Sequence, residues 1–303
     1  MWRYNGSWTE VAGSTIDTQA NIVTANSTRL RTFAPLADSP VAYRVNAGGS
    51  ELAALDDNIS WAADTQNDPS PYTNAGEADS KTYSTSDSIT LDSSVPDSTP
   101  PELFQSERWD AESGTNMQWD FPVDANATYE IRLYFAEIYF EQNNQREFDV
   151  TLEAEDTIVL DDYDIHADVG DDVGVMKAFR ITPDSNLDID FYREKDNPKV
   201  SGFELIKTTN NTNNDAPTAN FTYSPDSPAT GETITFNGSV SDDSDGNITS
   251  YEWDFDGDGT IDKTGQEATY TYSTTGTKRV VLTVTDDDGA ANLVSKPINV
   301  SSS

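Results

Sequence analysis

The 303-residue chain has no cysteine, which excludes a disulfide framework, a thiolate zinc site and a cysteine nucleophile. It has a single histidine, His166, so a Ser-His-Asp triad has one available centre, and no Gly-x-Ser-x-Gly elbow supports it. The plainer reading of His166 is a loop residue beside Asp164 and Asp168. No apolar run is long enough for a membrane span, which argues against insertion. No P-loop, dinucleotide fingerprint or zinc-ligand spacing occurs. Cations are scarce: 18 Lys plus Arg stand against 54 Asp plus Glu, for a formal charge of −36, and nucleic acid is not an expected partner. The N-terminus, MWRYNGSWTE, has no secretory-signal pattern, so an exported protein would carry its targeting signal outside this sequence.

What is present is acid and aromatic side chains together. Asp supplies 37 of the acids, and 31 Phe, Tyr and Trp are spread through strand-like patterns. A disordered acidic chain would lack those rings. The balance is that of a folded protein suited to very high salt, where the Debye length shrinks to about 3 Å and charge steers no partner over distance. Nine Asn-x-Ser/Thr sequons, at Asn5, Asn26, Asn58, Asn126, Asn210, Asn220, Asn237, Asn247 and Asn299, fit an exported surface glycoprotein.

Period-2 patterns dominate and no helical period persists, so the expected class is all-β. Residues 1–38 read as a hairpin segment, in the manner of a tail to an upstream domain. Residues 39–207 form one block, with strands expected at 41–46, 116–121, 129–136, 147–152, 178–182, 187–192 and 200–206. The long polar stretch 64–101 between the first two exceeds a mere connector, so it should bind something or be ordered by a neighbour. A polar linker, 208–215, precedes a second domain, 216–303, of the size of an immunoglobulin-like sandwich.

The stretch 132–150, RLYFAEIYFEQNNQREFDV, organises the first block. Tyr129, Ile131, Leu133 and Phe135 share one buried face, and the alternation then breaks at Tyr139-Phe140. Neighbouring residues on an extended chain point to opposite sides, so a sandwich core cannot take both rings. One reading puts a ring in the loop, ready to stack on a sugar; the other has both rings closing the end of the core.

The block resembles the malectin domain, a carbohydrate-binding jelly-roll sandwich. The matching pieces are YRVNAGG (43–49), Trp61 with Asp64, LFQSERWD (103–110), LYFAEIYFEQNNQREFDV (133–150), DDYDIHADVG (161–170) and DNPKVSGFEL (196–205). The resemblance implies a loop-end site for glucose-containing oligosaccharides on a non-catalytic protein of a halophilic, archaeal-type cell surface. Tyr139 and Phe140 fall on the family's aromatic pair and Asp196 on the acid before Asn-Pro. Phe104 stands where a Tyr is usual, and Tyr83 is assigned to the first-loop Tyr. A sugar's CH face stacks on rings while a carboxylate accepts its hydroxyls. Asp196 can equally cap the turn before Asn197-Pro198. Arg108 should pair with a buried acid, Trp61, Trp109 and Trp119 should be core, and Gly48-Gly49 should serve a positive-φ turn or a close backbone approach. Glu107, Asp110 and Glu137 are the nearest carboxyls for glycoside hydrolysis, but in so acidic a chain that signal carries no weight.

Residues 251–262 (YEWDFDGDGTID) and 275–290 (TGTKRVVLTVTDDDGA) resemble a PKD domain, which implies a spacer or adhesive module. Asp254, Asp256, Asp258 and Asp262 alternate like the first ligands of a calcium loop. Gly265 replaces the bidentate Glu and no helices flank the loop, so an acidic hairpin without a metal is the competing reading. No cofactor is required, and calcium is the one candidate. The function classes are a non-catalytic glycan binder, a structural or adhesive surface protein, and an accessory region of a larger glycosidase.

Overall fold

In this computed structural model the described residues are 41–303, apart from 57–58, 112–114, 126, 156 and 209–213, together with the backbone of five short strands within 1–40. Sequon positions Asn5, Asn26, Asn58, Asn126 and Asn210 lie outside the described residues. Residues 1–40 form a compact unit of their own, containing a three-stranded sheet and a separate two-stranded one.

The strand Tyr129–Ala136 lies inside a six-stranded sheet, flanked by Gly202–Lys207 and Val173–Ile181. Its alternation places Ile131, Leu133 and Phe135 against a four-stranded sheet of Met117–Pro122, Asn186–Lys195, Glu147–Leu152 and Ile158–Tyr163. That second sheet contributes Trp119, Phe121, Phe148 and Phe191, all with no solvent exposure. Towards its end Tyr129–Ala136 is buried on both faces. Tyr134 and Ala136 point away from the sandwich into a smaller cluster with Trp61, Val95, Leu103 and Phe104. No helix among the described residues is long and apolar enough to cross a membrane.

The stretch 64–101 is ordered by its neighbours. Tyr72 packs edge-on against Tyr43 and tilted on Phe121, and the Tyr72 carbonyl accepts the Asp120 N–H. The stretch also supplies the strand Lys81–Ser84, which pairs with Ser106–Trp109 in a three-stranded sheet completed by Lys199–Val200. Beneath this small sheet lies a bidentate ion pair. Arg108 Nε and Nη2 each donate to Asp64 at 2.7 Å, and neither side chain reaches solvent. Asp64 also accepts the N–H groups of Gly48 and Ser70. Gly48 sits at φ +76, and a Cβ there would come within 2.0 Å of the Glu107 carbonyl oxygen, so this position serves both a turn and a close approach.

The second sandwich puts a three-stranded sheet against a four-stranded one around Phe236, Trp253, Leu282 and Ile298. It is docked on the first. Val281 and Leu293 join the first sandwich's core cluster, the Asp161 N–H donates to the Gly257 carbonyl, and the Thr182 N–H donates to the Ala291 carbonyl. A Cβ at Gly259 (φ +78) would lie 2.8 Å from Leu160 and 3.0 Å from Phe179.

Candidate functional site

The register Tyr83↔Glu107 and Lys81↔Trp109 between two short strands sets Tyr83, Glu107 and Trp109 on one face, because alternate residues of a strand share a side. Arg108, between them, turns the other way to meet Asp64. Facing Tyr83 is the loop that follows Tyr129–Ala136. Tyr139, 65% exposed, meets Tyr83 edge to face with ring centroids 5.9 Å apart. The segment 196–199 closes the far side. These elements line an open cavity of about 230 Å³, bounded by Tyr83, Glu107, Trp109, Tyr139, Arg146, Asp196 and Asn197.

A buried charge network forms the base of the cavity. Lys199, with no exposure, donates to Glu107 Oε2 at 2.5 Å and to Glu137 Oε1 at 3.3 Å. Glu137, 1% exposed, accepts Arg146 Nε at 2.9 Å through its other oxygen. Arg146 also donates to the Asn197 carbonyl, lies 3.6 Å from Asp196 and sits 5.0 Å from the centre of the Phe140 ring. Burial pushes the Glu137 carboxyl up, but Lys199, Arg146 and the Phe140 N–H outweigh it and hold the pKa at about 2. Glycoside hydrolysis needs a carboxyl kept protonated beside the substrate. Glu107 is tied to Lys199, Glu137 stays ionised, and Asp110 does not line the cavity, although burial raises its pKa.

The structure brings Tyr83, Tyr139 and Asp196 to this cavity. Phe140 is half-buried in the same loop next to Tyr139, their centroids 5.0 Å apart, and is not among the residues that line the cavity. Asp196, at φ +58, both lines the cavity and accepts the Asn197 N–H through Oδ1, so it also serves the turn. Phe104 is corrected: its ring is fully buried beneath Tyr134 and over Gly174, in the cluster that covers the outer face of Tyr129–Ala136. A phenylalanine suits this fully buried position because its ring brings no hydroxyl that would need a partner. Trp109 is corrected in the opposite sense, being half-buried in the cavity wall rather than core, whereas Trp61 and Trp119 are core. The strand's alternation carried the signal, since Trp109 shares its side with Glu107 and opposes Arg108. Arg146 and Asn197 gave no comparable local signal. His166 stands on a five-residue helix rather than in a loop, sharing a hydrogen bond with Asn143.

In the second sandwich, Asp254, Asp256 and Asp262 place carboxylate oxygens within 4.8 Å of one another. Asp254 is 3% exposed and accepts the N–H groups of Asp256, Gly257 and Gly259. Burial, with Asp258 and Asp256 nearby, pushes its carboxyl up to about 7 despite those bonds. Asp258 turns away, accepting the Thr260 N–H and lying 3.7 Å from Lys177 of the first sandwich.

Residues 41–203 match the Malectin domain. The chain belongs to that family. Residues 214–301 match the PKD domain, and both are non-catalytic modules. Over 70 residues the chain is 50% identical to collagenase ColA of Clostridium perfringens, covering 23% of this chain and 6% of the collagenase. Similar solved structures include the ANX2 ectodomain from Arabidopsis thaliana (21% identity, TM-score 0.45, 55% of this chain and 49% of that one). Another is the plant receptor-like kinase FER (20%, TM-score 0.48, 56% and 50%). The chain thus spans about half the length of these structures and a small part of the collagenase.

Proposed function

We propose that the malectin domain binds an uncharged, glucose-type oligosaccharide in the cavity between Tyr83, Trp109, Tyr139 and Asp196, on a protein of the cell surface or secreted space. The observation that carries this reading is the convergence of three part-exposed rings and one exposed carboxylate, from separate chain segments, on a single open concavity. The rings offer stacking surfaces for a pyranose, and Asp196 with Glu107 offers acceptors for its hydroxyls. Glu107 and Asp196 line the cavity with Arg146, while Glu137 and Lys199 are buried behind them, a balance that disfavours an anionic sugar. The charge of −36 suits work in concentrated salt. A glycan array in molar NaCl or KCl, followed by titration calorimetry on the best neutral sugar, tests the reading. Failure of every sugar to bind would leave the structural or adhesive alternative.

Calcium at the PKD turn is a second reading, favoured by the three converging carboxylates. Asp254, Asp256 and Asp262 would hold the ion through oxygens that keep a lone pair beyond their backbone hydrogen bonds. The ion would compete with the proton that burial favours on Asp254. Calcium titration followed by calorimetry decides it.

A further inference from the structure

We propose that Glu137 is the positioning residue of the sugar site, the single carboxylate on which the cavity's separate walls are registered. Its Oε1 accepts the N–H groups of Tyr139 at 3.0 Å and Phe140 at 3.1 Å, which fixes the course of the chain just where the aromatic loop leaves its strand. The same oxygen takes Lys199 Nζ, whose other partner is Glu107 on the opposite wall. Its Oε2 takes Arg146, which reaches on to the Asn197 carbonyl and to Asp196. One buried anion therefore sets the spacing of the Tyr139 ring, the Glu107–Trp109 strand and the 196–197 turn. Glu137 itself does not line the cavity. It acts through Tyr139 and Arg146, and a shift of either wall would spoil simultaneous stacking and hydroxyl recognition.

The affinity part of this inference rests on the sugar-binding reading; the positional part does not. The test takes the full chain with Glu137→Gln, which keeps size and an acceptor oxygen but removes the charge shared by Arg146 and Lys199. Glu137→Asp serves as a second variant, keeping the charge but withdrawing the carboxylate by one methylene. In both, amide hydrogen exchange at Tyr139 and Phe140 is expected to speed up about tenfold, while amides of Asn186–Lys195 hold their rates. Affinity for a neutral glucose disaccharide falls about tenfold, and the same substitution placed on Tyr139→Ala costs clearly less than it does alone, because part of its effect passes through that ring. Unchanged exchange at 139 and 140, equal acceleration throughout the core, or additive losses would overturn the assignment. A wild-type chain that binds no sugar would sink the functional reading, and the exchange comparison would still decide Glu137.

Discussion

Tyr83 and Tyr139 stand edge to face at 5.9 Å, one on a strand and one on a loop, and together they form an aromatic wall of the cavity. Tyr139 is largely exposed, so Tyr139→Ala should leave the melting temperature unchanged while weakening sugar affinity by about 1 kcal/mol beyond lost contact area, roughly fivefold. Trp109→Ala should weaken binding likewise. Phe104→Ala should instead destabilise the fold by about 3–5 kcal/mol, as expected for a ring removed from a packed interior. Calorimetric titration beside thermal melts separates the two classes.

Arg108 and Asp64 predict a different kind of loss. Removing one partner, as in Arg108→Leu, leaves the other charge buried and unpaired, at a cost of about 3–5 kcal/mol. Asp64 also holds the Gly48 and Ser70 amides, so Asp64→Ala should be at least as damaging. Denaturant melts with an unchanged m-value would show that stability, not compactness, was altered.

Stability should fall as pH rises across the neutral range. Burial raises the carboxyls of Asp254 and Glu153 to about 7 and of Asp149 to about 6. Each then binds its proton more tightly folded than unfolded, so its contribution is complete below the unfolded pKa and is lost as pH climbs through the folded one. Glu137 has the opposite sign, its contribution lost only as pH drops towards about 2. Thermal melts should therefore be higher near about pH 5 than near about pH 8, most clearly at low salt, where a charge of −36 repels itself. Calcium should raise the pH 8 value and leave the pH 5 value nearly unmoved, since a proton then occupies Asp254.

The contact between the sandwiches can be broken in one position. Lys177, 4% exposed, lies 3.1 Å from Asp168 and 3.7 Å from Asp258 and donates to Thr260. Gly259→Val would drive a branched side chain into Leu160 and Phe179. That variant should split a single melting transition into two and enlarge the radius of gyration in solution scattering, with both sandwiches still folded.

Much of this fold was legible because buried strands must alternate. Tyr129–Ala136 and Glu147–Leu152 are found where the pattern puts them. The strands Ser106–Trp109, Lys81–Ser84 and Ile158–Tyr163 were missed, the first because the side chains it buries over a charge network are polar, the second because a short edge strand with part-exposed polar side chains leaves no apolar rhythm. Phe104 misled because a motif position says nothing about which face of the sheet a ring covers. Lys199 joins Glu137 and Arg146 from a segment some sixty residues away, and no local pattern announces such a meeting. The PKD domain's apposition was equally silent, since Gly257 and Gly259 serve a turn as well as a docking surface.

The loop that carries Tyr139 is held at both ends. Glu137 grips its first two amides, and farther along Asn143 shares a hydrogen bond with His166 while the Asn144 N–H donates to Asp164, the residue capping the short helix. A ligand arriving there meets a surface already frozen in shape, with little backbone freedom left to surrender. Association should accordingly be quick and its heat governed by desolvation and hydroxyl contacts, in the manner of a rigid lectin rather than of a lid that folds around its guest.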